Sequence, residues 1–258
     1  MGIPFVELQT IDSTNNYALA QIHANLAQPG TCYFAHEQTR GKGQRGKSWV
    51  AEKRANVILS IVLKPSFLEP ARQFYLSACG AVAVFHFLKD HIDDGFLKIK
   101  WPNDLYWNDQ KLGGILIENI LGSGNAGRAG KKNEKLVPAW KWSVVGVGIN
   151  VNQTKFPKEI KNPVSLKLLT GKDYDTVGLA RHLCGSFGLF YDELRKEKYS
   201  SILKKYNHVL YKRNETVRFK KNNRVFKATV KRVNEMGQLV IKHAIEERLE
   251  FGEAEWLI

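Results

Sequence analysis

Gln38-Thr39-Arg40-Gly41-Lys42-Gly43-Gln44-Arg45-Gly46-Lys47-Ser48-Trp49 is the stretch around which the rest of the chain is arranged. Between Arg40 and Ser48 it holds three glycines and four cationic residues. Glycine lets the backbone fold into nests of N–H groups, and nearby cationic side chains add charge, so such a loop is suited to binding an anion such as phosphate. A solvated basic turn is the alternative interpretation of the loop taken alone.

The segment from Gly41 to Ser48 also fits the P-loop pattern, in which spaced glycines precede Lys-Ser. A P-loop runs from a strand directly into a helix, but only residues 49–55 separate this loop from the segment 56–63. That segment is apolar and rich in β-branched residues, which predicts a buried strand. We therefore reject the P-loop and keep phosphate binding and a solvated turn as alternatives.

The composition indicates a globular protein with an anionic partner. The chain has 258 residues, of which 43% are apolar and 25% charged, and its formal net charge is +14. Nucleic acid, a nucleotide or an acidic protein surface would each match that charge. No apolar run approaches the ~20 residues that span a bilayer, and the first residues lack the features of a signal peptide, so we expect a cytoplasmic location.

The cysteines and histidines indicate neither a disulfide framework nor a zinc site. Cys32, Cys79 and Cys184 lie far apart in apolar surroundings, which predicts small core residues. The seven histidines are scattered without ligand spacing, which is typical of packing or surface residues.

Hydrophobic periodicity predicts a mixture of helices and strands up to about residue 210. Ser13 and Thr14 stand where helix N-caps occur, and capping alone would explain them, although a ligand could bind at the same helix start. Residues 121–135 are rich in glycine and lysine without periodicity, which predicts a mobile loop. Predicted helices cover 14–28, 71–91, 175–195 and 199–210, and predicted strands cover 31–37, 56–63, 97–101, 105–107, 111–118 and 143–150.

The pattern changes at about Tyr211 to short alternating segments joined by polar turns. These segments cover 216–219, 224–233, 238–242 and 248–251. They predict a small β-barrel appended to an α/β domain, so the predicted domains are 1–210 and 211–258.

Two pairs of glycines interrupt predicted strands. Gly113 and Gly114 indicate either a β-bulge or a ligand that lies close to the backbone. Gly146 and Gly148 are two residues apart and therefore face the same side of the sheet. A flat molecule could stack against that bare surface.

Three motifs together, in this order and spacing, resemble the biotin protein ligases over essentially the whole chain. They are the glycine-rich loop, the block Lys100-Trp101-Pro102-Asn103-Asp104 with the following segment 111–118, and Gly146-Val147-Gly148-Ile149-Asn150, and Ser13-Thr14-Asn15 completes the set. The resemblance implies an α+β fold, with the mixed sheet and covering helices of class II aminoacyl-tRNA synthetases and a small C-terminal SH3-like β-barrel.

The activity that the resemblance implies is that of a biotin-[acetyl-CoA-carboxylase] ligase. The biotin carboxylate attacks the α-phosphate of ATP to give biotinyl-5′-adenylate, and a lysine of a biotin carboxyl carrier domain then takes the biotinyl group. The motif set begins at Asp12, which leaves no room for the helix-turn-helix domain of some members. We therefore expect a monofunctional ligase with no nucleic acid or membrane partner, and a homodimer is one expected assembly.

The resemblance also implies a set of site residues, and it assigns catalysis to Lys111, Arg45 and Asp104, with Asp104 as the Mg²⁺ ligand. Fixed cations would offset the repulsion between two anionic substrates, and Mg²⁺ needs few carboxylates. The loop is expected to be disordered until ligand arrives. The biotin contacts would be Ser13, Thr14, Asn15, Gln38, Lys42, Gly43, Gln44, Lys111 and Gly114, and the ATP contacts Arg45, Lys47, Asn103, Asp104, Lys111 and Asn150.

One residue departs from the family pattern. Many members have arginine where this chain has Gln44, and glutamine cannot offer a charged bidentate contact to a phosphate, so retention of the adenylate would depend on Arg45 or Lys47. The nearest alternative function is a lipoate or octanoate ligase, which is disfavoured because the Arg-x-x-Ser-Gly-Gly-Gly type of motif is missing. A P-loop nucleotidase and a basic nucleic-acid-binding protein are the more distant alternatives.

Overall fold

The computed structural model describes residues 1–2, 4–125 and 136–257, which form two β-sheets and five α-helices. The first part of the chain contains β1 (Phe5–Ile11), α1 (Thr14–His23), β2 (Cys32–Gln38), β3 (Asn56–Leu63), α2 (Gln73–Leu88), β4 (Leu97–Lys100), β5 (Asp104–Trp107), β6 (Gln110–Asn125) and β7 (Leu136–Asn150). The second part contains α3 (Leu166–Thr170), α4 (Thr176–Arg195), α5 (Tyr199–His208), β8 (Thr216–Lys221), β9 (Arg224–Val233), β10 (Leu239–Lys242), β11 (Glu246–Leu249) and β12 (Glu255–Leu257).

The first seven strands form one mixed sheet in the order β1-β2-β3-β7-β6-β5-β4. Only β1 and β2 pair in parallel, and the other neighbours pair antiparallel. All eight residues of β3 are buried, because this strand lies inside the sheet and both of its faces are covered.

Alternate side chains of β3 point to opposite faces of the sheet and pack in different hydrophobic clusters. Leu59, Ile61 and Leu63 belong to the main hydrophobic core, which also contains the apolar residues of α2 and α4. Val62 points to the other face and packs in a smaller cluster with residues of α1. This alternation follows from the two-residue period of a strand, and it leaves Ser60 on the α1 side, where the candidate site lies.

The last five strands form an antiparallel sheet in the order β11-β10-β9-β8-β12. The predicted α+β class, with a mixed sheet, covering helices and a separate C-terminal β unit, is confirmed. Within the described ranges no pairing joins β11 to β12, so the predicted SH3-like unit is a five-stranded antiparallel sheet without observed closure into a barrel. The boundary at residue 210 stays a prediction.

Several predicted element bounds differ from the structure. The predicted loop at 121–135 is wrong for its first part, because residues up to Asn125 continue β6 and pair with the start of β7. Backbone hydrogen bonds between two long strands hold this segment despite its glycines, and residues 126–135 lie outside the described ranges. The sequence patterns also missed β1, α3 and β12, which are short or lie at sheet edges.

None of the helices in the described part of the chain is both long enough and apolar enough to cross a bilayer.

The two faces of α4 give a direct test of the packing. We expect Leu183→Ala to lower the free energy of unfolding by about 2–5 kcal/mol, because Leu183 is fully buried and the change leaves a cavity. Leu189→Ala in the same helix is the matched control, since Leu189 is 71% exposed, and it should change that energy by no more than about 0.5 kcal/mol. Urea unfolding measures both, and equal losses would contradict the assignment of the buried face.

Candidate active site

A cavity of about 1070 Å³ lies between the mixed sheet and the C-terminal sheet. Its walls come from the start of α1, the loop after β2, strands β4 to β7, and residues of β8 and β12. Among the residues predicted from the sequence, only Asn150 does not line it. The lining residues that were predicted are Ser13, Thr14, Asn15, Gln38, Lys42, Gly43, Gln44, Arg45, Lys47, Asn103, Asp104, Lys111 and Gly114.

One end of the cavity is a buried polar cluster at the start of α1. The backbone N–H of Thr14 donates to Gln38 Oε1 at 2.7 Å, and Asn15 Nδ2 donates to Glu118 Oε2 at 2.7 Å. Ser60 Oγ lies 2.6 Å from Asn15 Oδ1. These contacts fix which atoms of the two amide side chains accept and which donate.

Ser13 corrects one expectation from the sequence. It occupies the N-cap position of α1 with extended backbone angles, but its side chain makes no capping hydrogen bond. Its hydroxyl is therefore not used by the helix, although the residue is buried and lines the cavity.

The glycines of β7 make room for side chains of the protein itself. A Cβ atom at Gly146 would lie 2.3 Å from Asn15 Oδ1, and one at Gly148 would lie 2.6 Å from Cε2 of Trp49. The bare surface predicted for a flat molecule thus holds the indole of Trp49 in this structure. The indole N–H is buried and has no hydrogen-bond partner among the described residues.

An ion pair between Lys111 and Asp104 lies in the cavity wall, with Nζ and Oδ1 2.8 Å apart. A Cβ atom at Gly114 would lie 2.9 Å from that oxygen, so glycine is needed to leave space for the pair. The register of β5 and β6 shifts between Leu105 and Tyr106, which is the bulge that the two adjacent glycines indicated.

Lys100 is a cavity residue that the predicted site set did not include. Its Nζ lies 3.2 Å from the hydroxyl of Tyr106, 4.6 Å from the centre of that ring and 5.8 Å from the ring of Trp256. Burial lowers the pKa of Lys100 to about 8; Asp104 opposes this shift, and Lys111 and Lys47 add to it. In the described part of the chain no carboxylate forms a salt bridge with Lys100, so the cavity carries an excess of positive charge.

The glycine-rich loop crosses the cavity as a folded turn. Trp49 N donates to Gly41 O at 2.9 Å, and a Cβ atom at Gly41 would lie 2.3 Å from the Trp49 carbonyl oxygen. Lys42 Nζ pairs with Glu118 Oε1 at 3.0 Å. The side-chain oxygen of Gln44 is buried without a partner in the described residues.

Two of the predicted ATP contacts have backbone partners in this structure. Asn150 Nδ2 donates to Val164 O at 3.0 Å and lies 3.4 Å from Lys111 O, while Asn103 Nδ2 donates to Ile115 O. Both asparagines therefore support the backbone around β6. The motifs alone did not predict that the amides of Asn103 and Asn150 donate hydrogen bonds to backbone carbonyl oxygens.

Sequence patterns contained signals for the residues that were missed. Trp49 closes the glycine-rich loop, Lys100 opens the Lys-Trp-Pro-Asn-Asp block, and Glu118 is the last residue of the quoted segment 111–118. Each lies inside a quoted motif, but only the tertiary contacts show that these side chains reach the site or its neighbours.

Comparison with known proteins agrees with this geometry. Residues 7–128 match the model of the biotin/lipoate A/B protein ligase family. The bifunctional ligase/repressor BirA of Bacillus subtilis is 30% identical over 206 residues, which cover 78% of this chain and 58% of that protein. The biotin–[acetyl-CoA-carboxylase] ligase of Mycobacterium tuberculosis is 30% identical over 159 residues, which cover 61% of this chain and 52% of that protein.

The fold also matches that of a solved ligase. The biotin protein ligase of Aquifex aeolicus in complex with biotin and ATP superposes with a TM-score of 0.76 at 22% identity, over 98% of both chains. The present chain spans somewhat over half the length of the two relatives named above. On these matches the chain is similar in sequence to the biotin/lipoate A/B protein ligase family, and its similar relatives include biotin ligases.

Proposed function

We propose that the chain is an ATP-dependent biotin protein ligase, which activates biotin as biotinyl-5′-AMP and transfers it to a lysine of a biotin carboxyl carrier domain. The observation that carries the proposal is the single cavity that joins a buried amide and hydroxyl cluster to the Lys111–Asp104 pair and the cationic loop. That combination suits a substrate with a neutral polar head and an anionic tail, together with a nucleotide.

The polar cluster would hold the ureido group of biotin. The ureido group has two N–H donors and one carbonyl acceptor, and a dry pocket needs a few fixed partners for them. Gln44 Oε1 and Trp49 Nε1 are buried and unpaired within the described ranges, and a bound substrate with donors and acceptors could satisfy both. The hydroxyl of Ser13, which does not cap α1, supplies a further partner.

Lys111 would bring the two anionic substrates together. The biotin carboxylate attacks the α-phosphorus, the bond to the bridging oxygen breaks, and pyrophosphate leaves. A fixed ammonium group beside the attacking carboxylate offsets the repulsion and stabilises charge on the phosphoryl group. Asp104 holds Lys111 Nζ at 2.8 Å and so fixes its position before the substrates bind.

The cavity also fits Mg²⁺, which belongs with ATP. No group of three or more acidic, histidine or cysteine side chains suited to a metal occurs in the described residues, but Mg²⁺ needs only one or two carboxylates beside phosphate oxygens and water. Asp104 can supply a carboxylate oxygen, whereas Asp109 already accepts from Tyr211 and pairs with Lys212. When bound, the ion would neutralise charge on the phosphates.

The acceptor lysine, on a carrier domain, would then attack the acyl carbon of the adenylate and release AMP.

A homodimer and a cytoplasmic location remain predictions. Light scattering after size-exclusion chromatography can check the homodimer, and cell fractionation can check the location.

The first test is biotin-dependent exchange of labelled pyrophosphate into ATP. We expect exchange by the unaltered protein and a loss of at least about 100-fold in Lys111→Ala, because one fixed charge contact to the reacting groups is removed. Lys167→Ala is the matched control, since Lys167 pairs with Asp173 at 2.7 Å with similar side-chain exposure but does not line the cavity. Exchange with lipoate or octanoate instead of biotin would support the neighbouring activity, and exchange with none of them would contradict ligase function.

The second test compares two cations of the loop. We expect Arg45→Ala to release free biotinyl-5′-AMP about tenfold faster than Lys42→Ala, because Lys42 is already neutralised by Glu118 while Arg45 bonds only a neutral carbonyl. Arg40→Ala is a control, since the Arg40 side chain is 82% exposed and does not line the cavity. Chromatography of the adenylate that escapes after rapid filtration gives the rates, and equal release from the two variants would contradict the assignment.

The third test uses the lowered pKa of Lys100. Bound phosphates favour the ammonium form and should raise the pKa of Lys100 above its value of about 8, so ATP binding should take up a proton near pH 8 and almost none below about pH 7. Calorimetry at pH 8 in two buffers of different ionisation enthalpy measures that uptake. It should disappear in Lys100→Met and persist in Lys98→Met, because Lys98 lies in the same strand outside the cavity. Persistence in Lys100→Met would exclude Lys100 from phosphate binding.

A further inference from the structure

A turn in the C-terminal sheet touches the glycine-rich loop. The turn covers residues 250–253 between β11 and β12, and we call it the latch turn. Arg45 Nη1 donates to Gly252 O at 3.1 Å, and the Arg45 guanidinium lies 6.0 Å from the centre of the Phe251 ring. The partners are 207 residues apart in the sequence, so the contact exists only because the two sheets are packed together.

The backbone at both ends of this contact is unusual. Arg45 has φ 54° and ψ 42°, a left-handed conformation that is strained for a residue with a side chain and persists only where surrounding contacts hold it. Gly252 has φ +82°, and a Cβ atom there would lie only 2.0 Å from Arg45 Nη1. The positive φ at residue 252 favours glycine, and a side chain there would displace the Arg45 guanidinium from its contact.

The latch turn is itself anchored to the mixed sheet. Phe251 packs edge-on against Trp101, with ring centres 5.9 Å apart, and Trp101 Nε1 donates to Gly237 O at 2.8 Å. Glu250 N donates to a carboxylate oxygen of Glu253 at 2.9 Å, which closes the turn. A fixed turn can hold a flexible loop, and its position is set by the same Trp101 that lies at the end of β4 in the cavity wall.

We propose that the latch turn positions the glycine-rich loop over the cavity, with Gly252 and Phe251 as positioning residues that act through Arg45. The contact itself is independent of the proposed function, and its effect on adenylate formation rests on that function. The contact with Gly252 O engages only Nη1 of the Arg45 guanidinium, so its other N–H groups can bind a phosphate while the latch contact is kept. The latch thus organises the loop before substrates arrive, in contrast to the ligand-dependent ordering expected from the sequence, and lowers the ordering cost of binding.

Limited trypsin digestion tests the latch without any assay of activity. The loop contains Arg40, Lys42, Arg45 and Lys47 as cleavage sites. In the protein without ligand, Gly252→Ala should increase the rate of cleavage within the loop about fivefold or more. Mass spectrometry of the fragments measures that rate. Gly171→Ala is the matched control, because Gly171 has φ +72° with no atom near its Cβ position, so it shares the backbone strain but not the contact.

Phe251→Ala is a second variant that does not depend on backbone strain, and it should increase loop cleavage in the same direction. Cleavage rates of Gly252→Ala and Phe251→Ala equal to that of Gly171→Ala would overturn the proposal. This result can be read even if biotin-dependent exchange is absent, so failure of the latch and failure of the proposed function are distinguishable.

A double-mutant cycle tests the route through Arg45. Gly252→Ala should raise the KM for ATP in the exchange reaction about fivefold or more, with a smaller change in the maximal rate, because the loop must be ordered at the time of binding. In the Arg45→Ala background the same change should have little further effect, since the contact is already lost. Fully additive effects of the two substitutions would show that Gly252 does not act through Arg45.

Discussion

The candidate site depends on the absence of side chains at four positions of two adjacent strands. Gly114 leaves space for the Lys111–Asp104 pair, while Gly146 and Gly148 leave space for Asn15 and Trp49. At Gly113 a Cβ atom would lie 2.7 Å from the Gly148 carbonyl oxygen, so the two strands also approach closely there. A methyl group at any of these positions would displace a side chain or a strand that forms the cavity wall.

Charge in the cavity is arranged unevenly. Lys42 is neutralised by Glu118 and Lys111 by Asp104, whereas the close contacts of the Lys100 ammonium group with described residues are with a hydroxyl group and aromatic rings. A site for an anionic substrate needs positive charge that is not already neutralised by carboxylates of the protein itself. The pKa of Lys100 is lowered because burial disfavours the charged ammonium form, and no salt bridge within the described residues compensates for it.

Much of the architecture was predictable from local patterns. The run 56–63 was predicted as a strand with the observed bounds of β3, because a fully buried strand has an unbroken apolar sequence. The helix α4 was predicted nearly residue for residue from its periodicity. By contrast, the end of β6 was predicted as a loop, because glycines hide a strand whose stability comes from its pairing with β7.

The sequence by itself determined the chemical character of the site: the glycine-rich cationic loop, the Lys-Trp-Pro-Asn-Asp block and the paired glycines all lie on or beside one cavity. Only the tertiary structure decided which side chains are engaged with each other. Ser13 does not cap its helix, Trp49 covers Gly148, and Arg45 contacts a turn 207 residues away. The physical reason is that motifs record local backbone requirements, whereas these contacts arise between segments brought together by the packing of two sheets.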